Sequence, residues 1–291
     1  MHSIKHMHTF CTVVEHGGFS GAQLALGMSQ PAISTHIRDF EIRLGFQLCL
    51  RGRAGFRLTE KGKITYQKCR NMLNTLDDFN TDLGELKNSL TGVLRIGLID
   101  TTVTDPNSPV PRAIKQFYSR ANDVSLTLKI HAPEELEAEL IASNIHLAIG
   151  VFSSHHSALK YQHLYAEDHL FYCGKGHPLF NLDKSQITMK LLRQYPIASR
   201  SYLQQSDLHY FRKSPTPATV SNIEALAILI NSGQFMGFLP IHFAQHWVDK
   251  GQMKAIDHLG LSWQSELQLV TRDSPSSQNI VKLFIQDLMG S

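Results

Sequence analysis

The chain has 291 residues, 42% of them hydrophobic and 9% aromatic, with 28 Lys and Arg against 25 Asp and Glu and a formal net charge of +3. That apolar content suffices for two or three compact units and excludes a disordered chain. No apolar run approaches the roughly 18 residues a membrane span needs, no charged-then-apolar leader opens the chain, and Cys11, Cys49, Cys69 and Cys173 lack metal or redox spacing. A cytoplasmic protein with no membrane partner and with structurally buried cysteines is expected. The near-neutral total conceals an asymmetry: residues 1–70 carry ten Lys and Arg against four Asp and Glu, which leaves −3 for residues 71–291. A basic head on a mildly acidic body suits a nucleic-acid partner.

Ile4, Met7, Cys11 and Val14 mark a first helix, ended by Gly17-Gly18. Residues 19–45 then read as two short helices joined by a tight turn. Ser20 is the N-cap of the first, with Gln23 completing a capping box. Gly27-Met28 make the turn, Ser29 is a second N-cap, and Pro31 sits in the first turn, where its missing N–H removes nothing the helix uses. Ile33, Ile37, Phe40 and Leu44 form one apolar stripe, and Gly45 supplies the stop. The opposite face carries Gln30, Ser34, Thr35, Arg38 and Asp39, amide, hydroxyl and charged groups of the kind that read base edges from a recognition helix. Periodicity alone also fits an ordinary amphipathic helix with a solvated polar face. Residues 46–62 shift the balance: an alternating segment broken at Gly52-Arg53-Ala54-Gly55 reads as a two-stranded wing that brings Arg51, Arg53 and Arg57 to phosphates beside that helix.

Thr59 is a plausible N-cap for a long helix reaching about Leu90. Its apolar positions Tyr66, Cys69, Leu73, Leu76, Phe79, Leu83, Leu86 and Leu90 recur every three or four residues, the pattern of a coiled-coil seam; a helix lying on its own domain is the alternative. Residues 89–92 break it. Strand-like runs at 93–99, 125–130, 147–151, 169–173, 196–199, 218–220, 237–239 and 267–271 then alternate with helical patterns at 112–118, 134–142, 188–193, 222–231, 241–250 and 276–289. Ser221 and Glu224 form a capping box before the apolar run at 225–230. This rhythm predicts an open α/β sheet with right-handed crossovers, and a last strand free to return to the first unit makes it a hinged pair of lobes around a cleft.

Residues 1–70 resemble the winged helix-turn-helix of LysR-type transcriptional regulators. Phe19, Ser20, Ala22, Leu26, Ser29, Gln30, Pro31, Ala32, Ser34, Ile37, Glu41, Leu44, Gly45, Leu48, Arg51, Leu58, Thr59, Glu60 and Gly62 match the family's ordered run. Gln23, Phe40 and Cys49 depart from its usual Ala, Leu and Phe, and Thr35 stands at a position often basic there. Residues 93–291 resemble the family's effector domain through Leu94-Arg95-Ile96-Gly97, Gly176-His177-Pro178-Leu179 and residues 233–240, with His146 where Asp is frequent. The resemblance implies an α-helical winged helix-turn-helix (1–58), a linker and dimerisation helix (59–91) and a two-lobed α/β, periplasmic-binding-protein-like effector domain (92–291). Lobe 1 would cover 92–160 and 265–291, and lobe 2 161–264. It also implies double-stranded DNA and a small-molecule effector as partners, a homodimer that extends to a homotetramer, and contact with RNA polymerase.

The DNA-contact candidates are therefore Ser29, Gln30, Pro31 (against a thymine methyl), Ser34, Thr35, Arg38, Arg51 and Arg53. Ligands of open α/β sheets bind beyond the carboxyl ends of strands, which nominates Asp100, Thr101, Thr102, His131, Phe152, Ser153, Ser199 and Arg200. Hydroxyls and a guanidinium suit a carboxylate. Asp100 adds affinity for an amine or hydroxyl, so an effector bearing both charge types, such as an amino-acid-like metabolite, is expected. His242 and His246 have i, i+4 spacing but no accompanying ligand framework, and neither a metal nor another cofactor is expected. A solute-binding component of transport is the alternative that the lobed half raises, and it needs export. No hydrolase or nucleotide-binding motif points to an enzyme.

Overall fold

The computed structural model describes residues 3–50, 55–86, 89–203, 210–211, 218–273 and 279–290. The chain divides into two compact units, one of Met1–Val93 with Ala142–Asn144 and one of Leu94–Ile141 with Ile145–Ser291.

In the first unit, α1 (Ile4–Glu15), α2 (Ala22–Leu26) and α3 (Gln30–Leu44) precede the short strands β1 (Cys49–Leu50) and β2 (Arg57–Leu58) and the long helix α4 (Glu60–Glu85). The stripe foreseen on α3 faces the core: Ile33, Ile37 and Phe40 are buried with Phe10, Val13, Ala22, Leu48 and Cys69. Burial of that much aliphatic and aromatic surface is what holds helices too short to stand alone. Two local expectations are corrected. Ser20 does not cap α2; the N-cap is Gly21, without a side-chain bond. A methyl group there would lie 2.2 Å from the His16 carbonyl oxygen, so the close approach of the chain requires glycine, and the Ala22 and Gln23 N–H groups donate to the Gly18 and Ser20 carbonyls at 3.2 and 3.3 Å. Ser29 is the N-cap residue of α3, but its hydroxyl makes no capping bond. Gly27, between the helices, has φ +59°, a left-handed conformation that glycine adopts at little cost.

β1 and β2 pair antiparallel, Cys49 with Leu58 and Leu50 with Arg57. Glu41, at the C-terminal end of α3, anchors the wing by accepting the backbone N–H groups of Leu48 at 2.7 Å and Cys49 at 3.3 Å. Thr59 anchors its other side. Its hydroxyl donates to the Gln47 carbonyl at 2.8 Å and accepts the Gly62 N–H at 2.9 Å, the N-cap expected for α4. α4 stops at Glu85 rather than near Leu90, and the next strand already begins at Thr91. Its apolar row divides: Cys69 is buried and Tyr66 and Leu73 pack in the unit's own core, whereas Phe79, Leu83 and Leu86 are 56%, 41% and 81% exposed. The first half of the stripe thus packs on its own unit, and the second half is left exposed.

The second unit contains β3 (Thr91–Leu98), α5 (Val110–Tyr118), β4 (Asp123–Ile130), α6 (Pro133–Ile141), β5 (Leu147–Gly150), β6 (Leu159–Gly174), α7 (Met189–Leu192), β7 (Ala198–Arg200), β8 (Ala218–Val220), α8 (Ile223–Asn231), β9 (Met236–Pro240), α9 (Ile241–Asp249), β10 (Met253–Ala255), β11 (Ser262–Arg272) and α10 (Asn279–Met289). One sheet runs β10-β6-β11-β5-β3-β4 with β9 on β6, and β7 pairs parallel with β8. β6 and β11 are far longer than their apolar runs foretold, and they pair antiparallel from Leu159 to Leu170 of β6. One end of this ribbon lies beside β5, over a core that includes Leu136, Leu140, Ala148 and Val270. The other end lies beside β9 and β10, over a core that includes Phe171, Cys173, Met236 and Phe238. The fold is thus two-lobed α/β with a two-stranded crossing. α8 is capped by Asn222, whose Oδ1 accepts the Ala225 N–H at 2.8 Å, and not by Ser221. The four cysteines are buried and none forms a disulfide, and no helix among the described residues is long and apolar enough to cross a membrane.

Gly62 is tested by its sign. An alanine methyl would sit 1.9 Å from the Leu48 carbonyl oxygen, so Gly62→Ala is expected to destabilise by roughly 1–3 kcal/mol, although in an open helix the same change stabilises by about 1 kcal/mol. Urea unfolding of the full chain followed by circular dichroism measures it.

Candidate nucleic-acid interface and effector cleft

On α3 the candidate contacts fall on one outward face. Ser29, Gln30, Pro31, Thr35 and Arg38 are exposed and Ser34 is half-buried. Gln30, Ser34 and Arg38 follow at intervals of four, so they form a row along about 12 Å of helix, a length that a major groove about 12 Å wide accommodates. Arg57 is exposed on β2. Arg51 and Arg53 lie outside the described residues. At the start of α4, Lys61 stands over the Phe46 ring at 5.1 Å and Lys63 pairs with Glu60 at 2.8 Å, which leaves the basic side chains close to the wing.

The nominated cleft residues separate into three groups. Asp100 and His131, at the ends of β3 and β4, line a cavity of about 300 Å³ together with Glu135, Tyr202, Ser221, Asn222 and Glu224 from both lobes. Asp100 reaches across it, its Oδ2 accepting the Ile223 N–H at 2.6 Å at the start of α8. Burial raises the pKa of this carboxyl, and the bond from Ile223 and the charge of Arg200 oppose that rise. A carboxylate at a helix N-terminus also meets the favourable end of the helix dipole. His131 faces the same cavity and pairs with Glu135 at 3.2 Å.

Thr101, with φ +62°, has a buried hydroxyl that makes no hydrogen bond among the described residues. Arg200 is buried, and its Nη1 donates to the Tyr202 hydroxyl at 3.2 Å while its guanidinium lies 5.3 Å from the centre of the Trp263 ring. Its Nε and Nη2 have no hydrogen-bond partner among the described residues. Buried donors of this kind carry a substantial desolvation cost until an acceptor reaches them.

The remaining nominated residues point away from that cavity or are packed elsewhere. Thr102 is turned inward, donating to the Ile99 carbonyl at 2.9 Å, because the chain makes a short 3-10 turn there. Phe152 is 8% exposed and belongs to the lobe 1 core, its ring edge-on to Tyr161. Ser199 is buried on β7 beside Arg200. Ser153 donates to the Tyr202 carbonyl at 3.2 Å and so joins the crossing to lobe 2.

Residues 4–63 match the family described as bacterial regulatory helix-turn-helix protein, lysR family, and residues 87–290 match the LysR substrate binding domain. The HTH-type transcriptional activator BauR of Pseudomonas aeruginosa is 31% identical over 284 residues, 97% of this chain and 93% of BauR. The chain belongs to the LysR family. Its fold is similar to that of CbnR, a LysR family transcriptional regulator, with a TM-score of 0.69 at 16% identity over 98% of each chain, and to CbnR complexed with its target DNA at 0.67.

This LysR-type protein is accordingly a DNA-binding transcriptional regulator, and its effector domain has a second polar layer that local sequence did not nominate. Glu167 and His169 on β6 are buried beside Ser265 and Trp263 on β11, and the His169 and Trp263 rings stack at 4.3 Å. Burial and the neighbouring Arg200 charge hold the His169 imidazole well below its usual pKa. The i, i+4 spacing of His242 and His246 does not bring them to a common site: His242 turns to Glu167 at 2.9 Å, whereas His246 lies 3.0 Å from Lys250 Nζ. The signal for this layer was the alternation Glu167, His169 on a strand whose pairing could not be read locally.

Replacing Asp100 with Ala removes the acceptor at the Ile223 N–H. The expected loss is about 0.5–2 kcal/mol, as for other helix caps, and it is concentrated at the first turn of α8. Faster hydrogen exchange in the first turn of α8, with unchanged exchange in α3, is the expected measurement.

Proposed function

We propose that this regulator recognises a two-fold DNA site through α3 and the wing, and switches in response to an effector that combines a carboxylate with an amine. Gln30, Ser34 and Thr35 read base edges, Pro31 meets a thymine methyl, and Ser29, Arg38, Arg51 and Arg53 hold phosphates. The exposed half of the α4 apolar row pairs with that of a second copy, so that two recognition helices address one symmetric site. The pairs then associate into tetramers. Residues 1–58, 59–91 and 92–291 act as reader, linker and sensor.

The observation that carries the effector class is Arg200, a buried guanidinium with two donors that have no hydrogen-bond partner among the described residues, beside Tyr202 of the cleft wall. A carboxylate is the group that satisfies two parallel guanidinium N–H donors at once. The cleft mouth has the opposite character, with Asp100, Glu135 and Glu224 around it, which favours an ammonium at the outer end. Binding alters the balance of lobe arrangements about β6 and β11, and with it the spacing of the two heads on DNA.

Titration of the full chain with amino acids and with plain dicarboxylates separates the two halves of this reading. Amino acids are expected to bind, and binding of dicarboxylates alone overturns the ammonium half. Arg200→Lys keeps the charge but loses the fork, and a loss of at least tenfold in effector affinity is expected by calorimetry. On DNA, Gln30→Ala is expected to cost roughly 1–3 kcal/mol of base discrimination. Arg53→Ala is expected to weaken all sequences alike and to reduce the salt slope by about 0.9; selection from random DNA and binding at several salt concentrations read both.

A further inference from the structure

Near the effector cleft, two buried carboxylates and a partly buried histidine from different parts of the second unit converge. Asp105 follows the short turn after β3 in lobe 1, Glu167 lies on the crossing strand β6, and His242 is in the first turn of α9 in lobe 2. His242 Nε2 is 2.9 Å from Glu167 Oε1 and 3.7 Å from Asp105 Oδ2, and one ligand atom from each of the three lies within 4.8 Å of the others. Their side chains are 12%, 3% and 1% exposed in that order. We propose that Asp105, Glu167 and His242 form a binding site for a divalent cation of the borderline class, such as Zn²⁺.

Each side chain has its other polar atom held elsewhere, so that the converging atom is left for the site. Asp105 Oδ1 accepts the Asn107 N–H at 2.8 Å. Glu167 Oε2 accepts the Ser265 hydroxyl at 3.2 Å. His242 Nδ1 is 2.9 Å from the Thr104 hydroxyl, and an Nδ1–H donated there directs the Nε2 lone pair at the two carboxylates. This is how outer partners orient imidazole and carboxylate ligands around a metal. An independent sign is Asp105 Oδ2, which is buried and accepts no hydrogen bond among the described residues. A carboxylate oxygen in that position needs a positive partner, and two facing carboxylates with a lone pair between them need it more.

The donor set has two oxygens, one nitrogen and no sulfur, which suits Zn²⁺ or a neighbouring first-row divalent ion. At metal–ligand distances near 2.0–2.2 Å, ligand atoms around a tetrahedral centre stand roughly 3.4 Å apart, a value bracketed by the two separations found here. A cation there ties lobe 1, the crossing strand and lobe 2 together, so its occupancy acts on the same lobe arrangement as the proposed effector, from a separate position. The site itself does not depend on that reading of the effector.

The test uses the full chain, stripped with a chelator and desalted, titrated with Zn²⁺ by calorimetry, with Mg²⁺ as the hard-ion control. One equivalent of Zn²⁺ per chain, a raised melting temperature and at least tenfold weaker binding in both His242→Gln and Asp105→Asn are expected, with apo melting temperatures confirming that the variants fold. Absence of stoichiometric uptake, or uptake unchanged in both variants, overturns the site; the latter result assigns the ion to surface histidines, and a proton on His242 Nε2 then bridges the carboxylates. If the variants fail to fold, anomalous scattering from zinc-soaked wild-type crystals decides the matter by a peak present or absent between the three side chains.

Discussion

The register between β6 and β11 is the constraint on which the effector unit depends. The two strands pair through eleven residue pairs with one slip, between Leu267 and Gln268. Side chains on a strand alternate faces, so a shift of one residue turns every one of them over. In the observed register Glu167 and His169 lie opposite Ser265 and Trp263, and all four share a face. That face meets Arg200, Tyr202 and His242. The slip rephases the alternation between the lobes, so one ribbon serves two cores without exposing either.

The polar layer built on this register is an arrangement of buried charges in a medium where each must be answered. Arg200 is flanked by rings and by the neutral imidazole of His169, contacts that stabilise a cation without neutralising it. Asp100 is answered by the first turn of α8. These groups come from both lobes, so the charge balance of the layer is coupled to the distance between lobes. A sensor needs that coupling, because a ligand shifts an equilibrium only to the extent that it interacts differently with the two states.

The DNA-binding unit rests on shorter-range physics. Thr59 caps α4, holds the wing and lies one turn from Gly62, where no side chain fits. Glu41 ties the end of α3 to the start of β1. The wing's angle to the recognition helix is therefore set by side chains within about twenty residues of each other, and this explains why the motif is so compact in sequence. The exposed row on the outer half of α4, Phe79, Leu83 and Leu86, is apolar surface that this unit's own core does not use.

Local order carried most of what the sequence determined: three helices and a wing with their stops and apolar stripe, the long helix with its Thr59 cap, the alternation of strands and helices, and the family itself. These follow from periodicity and from residues within a few positions of one another. The misreadings also have a common cause. Ser20 and Ser221 were assigned as caps from favourable local chemistry, and neighbouring residues took the N-cap positions instead. Phe152 looked like a cleft residue by position and is core by packing. The length of β6 and β11 was hidden because their crossing segments bury polar groups on one face, which erases the apolar pattern. Only the tertiary structure decided that Asp105, Glu167 and His242 meet, that His246 does not join them, and that Arg200 is buried beside Tyr202 with two donors left without a hydrogen-bond partner among the described residues. Those groups are tens of residues apart, and strand register and lobe packing, not sequence spacing, determine the distances between them.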